Sequence, residues 1–128
     1  MRKPVKKVIC SLLLAMSLTS VTALAETKGF SFNLQRGERG FSDTSIKADS
    51  EQTAYITTQT GNVIASDRAY MRVRDSSYNY ATDSFQVTSN SARYTTPYTE
   101  QTGYAGNLYR LACQTDVNSL RIAGVWTP

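Results

Sequence analysis

The sequence predicts an all-β protein, a small antiparallel β-sandwich of about seven to eight strands. Three observations point to it. Apolar residues recur with period two in one run after another, turn-forming clusters separate the runs, and no stretch past the N-terminal segment repeats apolar residues at helical spacing.

The runs follow in order. Phe30, Phe32 and Leu34 alternate with Ser31, Asn33 and Gln35, which gives a strand with one buried face. Ala69, Met71 and Val73 alternate with Tyr70, Arg72 and Arg74. Phe85 and Val87 repeat the pattern, as do Tyr109, Leu111 and Cys113, and then Leu120, Ile122 and Trp126, the last expected as a core or rim anchor. Glycine, serine, asparagine and proline cluster between the runs, at 37–40, 76–77, 89–91, 97, 103–106 and 116–118. Gly61-Asn62 is the sharpest such signal. Between 55–60 and 63–65 it supplies the positive dihedrals of a two-residue hairpin. The stretch 35–50, with two glycines, mixed charge and little periodicity, is expected to be the longest loop.

The N-terminal segment reads differently. Arg2, Lys3, Lys6 and Lys7 precede an apolar stretch over 8–18 and then Ala23-Leu24-Ala25, the order of a secretory signal peptide. Ala23 and Ala25 fit the narrow subsites of a signal peptidase, which puts cleavage before Glu26. The apolar run is shorter than the roughly 20 residues that cross a bilayer core. The expected organisation is a signal peptide over 1–25 and a secreted, extracellular β-sandwich domain over 26–128, with no stable membrane insertion after cleavage.

Removal of that segment changes the composition. The whole chain has a net charge of +4, but four of its fourteen basic residues precede Glu26 while all ten acidic residues begin there or later. The secreted part therefore holds ten of each, and nucleic acid is not an expected partner. Of two cysteines only Cys113 remains. Its place on the face of Tyr109 and Leu111 marks a buried apolar side chain, with an intermolecular disulfide as the other reading. Histidine is absent, which removes Ser-His-Asp and Cys-His nucleophiles and every histidine metal site. The carboxylates Asp43, Asp49, Glu51, Asp67, Asp75 and Asp83 occur singly, mostly where turns are expected, and there they bond local backbone. No phosphate loop, dinucleotide fingerprint, zincin helix or serine elbow occurs. No catalytic residue, metal or cofactor is expected, and the chain does not read as an enzyme.

One surface stands out. Tyr70, Arg72 and Arg74 share the solvent face of one strand, and Tyr78 and Tyr80 follow within a few residues. Tyrosine and arginine are enriched in binding hot spots because they combine contact area with directional hydrogen bonds. They are also ordinary cross-strand partners on an exposed sheet face. The expected partner is a protein or a cell-envelope glycan.

The C-terminal third carries NLYRLAC over 107–113, a short turn, and SLRIAGVWTP over 119–128. These segments resemble a loose group of uncharacterised small secreted proteins of Gram-positive bacteria, which have a signal peptide, a Ser/Thr/Tyr-rich chain and a last strand ending in Gly-x-Trp. The group is broadly similar to bacteriocins of the lactococcin 972 type. The resemblance implies a small secreted β-sandwich. It also implies the alternative to an extracellular binding protein, a bacteriocin-like antagonist acting on a target cell envelope.

Overall fold

The computed structural model describes residues 27–116 and 118–128; the expected signal peptide, with Ala23 and Ala25, lies outside the described residues. Nine strands follow one another: β1 (Lys28–Leu34), β2 (Arg39–Phe41), β3 (Ser45–Ile46), β4 (Thr53–Gly61), β5 (Ala69–Asp75), β6 (Phe85–Val87), β7 (Arg93–Pro97), β8 (Leu108–Thr115) and β9 (Leu120–Thr127). They form two antiparallel sheets, ordered β1-β9-β4-β7 and β2-β8-β5-β6, with β3 also pairing with β8. Among the described residues the two sheets enclose one apolar cluster, so the fold is the all-β sandwich that the alternation predicts.

Period-two patterning places the core. Phe30, Phe32 and Leu34 point inward from β1, Met71 and Val73 from β5, and Leu120, Ile122 and Trp126 from β9. Trp126 is 1% exposed and is therefore a core residue rather than a rim anchor. Cys113 lies in the same cluster, opposite Met71 in the β5–β8 register, as a free thiol.

β9 runs between β1 and β4, and Gly124 makes its close approach to β4 possible. A Cβ built on Gly124 would lie 2.0 Å from the Thr57 carbonyl oxygen, a contact no side chain can relieve. The β4–β9 register shifts between Thr58 and Thr60, immediately beside this contact.

Two expectations need correction. Gly61-Asn62 is not a hairpin turn, and residues 63–65 form no strand. Gly61 instead ends β4 while still paired with Ile122 of β9. Asn62 prolongs that ladder: its amide donates to the Arg121 carbonyl (2.9 Å) and its Oδ1 accepts from the Arg121 amide (2.8 Å). Gly61 is needed for space, because a Cβ there would meet the Arg121 oxygen at 2.6 Å and Asn90 Oδ1 at 2.7 Å. The chain then crosses to the other sheet through a short 3-10 turn at Ala65–Asp67. Asp67 holds that turn by accepting from the amide of Ile64 (2.8 Å) and from Asn118 Nδ2 (2.8 Å).

The stretch 35–50 is not one long loop either. It contains β2 and β3, whose three and two residues are too few to display alternation. Ser42 fastens the segment to β8 by two bonds with Leu111, donating its amide at 2.8 Å and accepting at its Oγ at 2.9 Å. Just past β3, Lys47 is wholly buried, its ammonium 3.2 Å from Asp49 Oδ1, 3.3 Å from the Pro128 carbonyl oxygen and 5.0 Å from the centre of the Tyr98 ring.

Candidate binding face

Along β5 the inward set Ala69, Met71 and Val73 leaves Tyr70, Arg72 and Arg74 on the outer face of the β2-β8-β5-β6 sheet, where the alternation predicts them. The register adds neighbours from other strands. Tyr70 pairs with Gln114, which pairs with Arg39; Arg72 pairs with Ala112, which pairs with Phe41; and Arg74 stands opposite Arg110. Four arginines thus come onto one face, two of them from strands distant in sequence.

The turn after β5 brings in the tyrosines. Asp75 Oδ1 accepts from the amides of Ser77 (2.8 Å) and Asn79 (2.9 Å), and the Asp75 carbonyl accepts from the Tyr78 amide (3.0 Å). Tyr78 takes a left-handed conformation, φ 67°, which costs a non-glycine residue about 1 kcal/mol. In return its ring lies 4.8 Å from the Arg110 guanidinium and edge-on against Phe41, with centroids 5.1 Å apart. The Tyr78 carbonyl accepts from Arg74 Nη1 at 2.8 Å. Tyr80 is bridged to Arg74 through the backbone, and its ring faces Arg72 at 3.7 Å and Arg74 at 4.5 Å.

Arg74 also lies 5.6 Å from the Phe41 ring. The contacts therefore join six side chains into one ladder in the order Arg72, Tyr80, Arg74, Phe41, Tyr78, Arg110. Cations on ring faces at these distances are mutually stabilising. The rings are the outermost members: Tyr80 is 62% exposed, Tyr78 46% and Phe41 41%. The arginine side chains are half-buried among them. The Nε atoms of Arg72, Arg74 and Arg110 are covered and make no hydrogen bond. Among the described residues none of the four arginines is salt-bridged to a carboxylate. Asp75, next to Arg74 in sequence, directs its carboxylate at turn amides and at Asn79.

Beside the ladder lies a cleft of about 320 Å³ lined by Arg39, Tyr70, Arg72, Arg74, Tyr80 and Gln114. Ala112, also lining it, keeps the space open by having the smallest side chain in its row. The opposite sheet offers a contrast. There Arg93 lies 4.7 Å from the Tyr55 ring, but the Tyr55 hydroxyl donates to Glu51, so an acid already accompanies that pair. Burial pushes the Cys113 thiol up to about 12, which leaves it protonated and unreactive at neutral pH.

Five of these residues are legible from the β5 run and the turn that follows. Arg39, Phe41 and Arg110 are not, because their place depends on pairing between strands far apart in the chain. One clue was present: Arg110 alternates with Tyr109 and Leu111 and so had to face outward.

The fold and this face together define a class, a small β-sandwich with a cationic, aromatic outer sheet face. No family model matches the chain, and no curated protein matches it in sequence. Among solved structures, FlgD from P. aeruginosa superposes with a TM-score of 0.41 at 13% identity, over 72% of this chain and 76% of that one. A family 43 arabinoxylan arabinofuranohydrolase from Bacillus subtilis, in complex with cellotetraose, gives 0.38 at 14% identity, over 75% of this chain and 20% of the enzyme. The C-terminal domain of EclA, a sugar-binding protein, gives 0.31 at 11% identity, over 80% and 79%. Likenesses at this level say nothing about a ligand.

Proposed function

We propose that the protein is a secreted, non-catalytic binding domain that docks on a cell-envelope glycan through the outer face of the β2-β8-β5-β6 sheet. The ladder from Arg72 to Arg110 carries this reading. Like charges placed opposite each other across a ladder are destabilising, and Arg74 faces Arg110 with no carboxylate between them. Exposed Tyr and Phe rings interleaved with arginine supply area and directional donors together, the composition of binding hot spots. The surface is an open cleft on a sheet face rather than a deep apolar groove, which suits an extended chain of sugar rings.

Retention of the secreted domain on isolated cell envelopes tests the proposal. Wild type should be retained, and Arg72→Ala and Tyr80→Ala should each weaken retention about tenfold, with circular dichroism confirming that both variants fold. Equal retention of both variants contradicts the assigned face. Loss of wild-type retention after protease treatment of the envelopes assigns a protein partner instead.

A further inference from the structure

We infer that the ligand of this face is a polyanionic glycan, one whose carboxylate or phosphate groups repeat along the chain and are gripped by the arginine forks. The inference rests on the docking reading above and names the chemistry of the partner.

Charge is the first observation. The domain from Glu26 onward is neutral overall, yet Arg39, Arg72, Arg74 and Arg110 share one sheet face without a carboxylate bound to any of them. The positive field is a property of that face, not of the molecule.

Unmet hydrogen-bonding capacity is the second. A guanidinium recognises carboxylate or phosphate with a planar fork that includes Nε–H. Three such Nε groups, on Arg72, Arg74 and Arg110, lie covered and unpartnered on this face. Tyr80 covers Arg72 from an exposed position, so a shift of its ring on binding opens the fork to an incoming anion. A neutral sugar would need acceptors for its hydroxyl protons, and the face is built mainly of donors.

Spacing is the third. Arg72 and Arg74 lie two residues apart on one strand, about 7 Å, and Arg110 lies across from Arg74 at about 5 Å between Cβ atoms. A chain with repeated charges can meet all three sites at once, each fork taking its own anionic group. The rings between the guanidiniums give its sugar units flat surfaces to rest on.

The test is a binding titration with polygalacturonate, with a glycerol-phosphate polymer and with neutral dextran, each at several NaCl concentrations. At least one anionic polymer should bind tenfold or more tightly than dextran, and which one does so identifies carboxylate or phosphate as the group gripped. Affinity should fall with salt, and Arg72→Gln should lower both affinity and salt dependence. Arg72→Lys, which keeps the charge but loses the fork, should lower affinity while leaving the salt dependence near wild type, and it serves if Arg72→Gln folds poorly. Binding to dextran as tight as to both anions, with envelope retention still dependent on Tyr80, overturns the inference and leaves the docking reading standing. Anion binding that is indifferent to both Arg72 variants also overturns it. Envelope retention indifferent to every change on the face removes the docking reading itself.

Discussion

The Arg72 guanidinium carbon stands 3.7 Å from the centre of the Tyr80 ring, and Arg74 reaches the same ring at 4.5 Å. One tyrosine ring is therefore shared by two cations that lie on one side of β5 and have no acid partner. Removing it should leave the two positive charges less well compensated. Tyr80→Ala is expected to lower stability by about 1 kcal/mol, and the Arg72→Ala/Tyr80→Ala cycle to show a coupling of about 0.5 to 1 kcal/mol. Urea denaturation of the four proteins measures both. A coupling of zero would mean that the stack contributes nothing.

Backbone atoms of Thr57 and Thr58 leave no room for a side chain at Gly124. Gly124→Ala should destabilise by about 3 kcal/mol, at the upper end for overpacking, since the obstructing atom is a carbonyl oxygen in a central strand. Gly106, which has nothing within 4 Å of its added Cβ, is strained only by its φ of 85°, so Gly106→Ala should cost clearly less. Thermal denaturation of both variants checks the ranking.

Cys113 titrates well above its ordinary 9.0 because burial disfavours the thiolate. A raised pKa of this kind means that the folded state binds the proton more tightly than the unfolded state. The associated stability is fully present below about pH 9 and is lost as pH rises towards 12. Burial, with the neighbouring Tyr109, pushes the Tyr98 phenol up as well, which acts in the same direction. Cys113→Ala should therefore weaken the alkaline fall in stability. A thiol reagent at neutral pH should label Cys113 only after denaturant is added; rapid labelling of the folded protein would contradict its burial.

Lys47 is a buried cation held by Asp49, the Pro128 carbonyl and the Tyr98 ring. Asp49→Ala should cost about 2 kcal/mol, less than for a fully buried pair because Asp49 is 43% exposed. Lys47→Met keeps the stem and removes the charge, and should fall within about 1 kcal/mol of wild type. Chemical denaturation distinguishes the two; a loss for Lys47→Met as large as for Asp49→Ala would show the ion pair itself to be stabilising.

The core was legible because burial in a sandwich repeats every second residue, so Phe30, Met71, Leu111 and Ile122 could each be placed from their own neighbours. Gly61-Asn62 misled because the same dipeptide suits a tight turn or a crowded strand end, and only Arg121 and Asn90 decide between them. Lys47 gave no sign of burial, since its partners Asp49, Tyr98 and Pro128 span most of the domain. Tyr70, Arg72, Arg74, Tyr78 and Tyr80 of the binding face were visible along β5 and its turn. Arg39, Phe41 and Arg110, from β2 and β8, depend on register, which no local pattern specifies.

The measurement that bears most directly on the central claim is an amide and arginine-Nε NMR titration of the folded domain with soluble envelope glycan fragments. The largest shifts are predicted at Arg72, Arg74, Arg110 and Tyr80, with the outer face of the β1-β9-β4-β7 sheet unmoved. Shifts centred instead on that second face, around Ser31, Thr60 and Arg121, or no shifts at saturating fragment, would contradict the account.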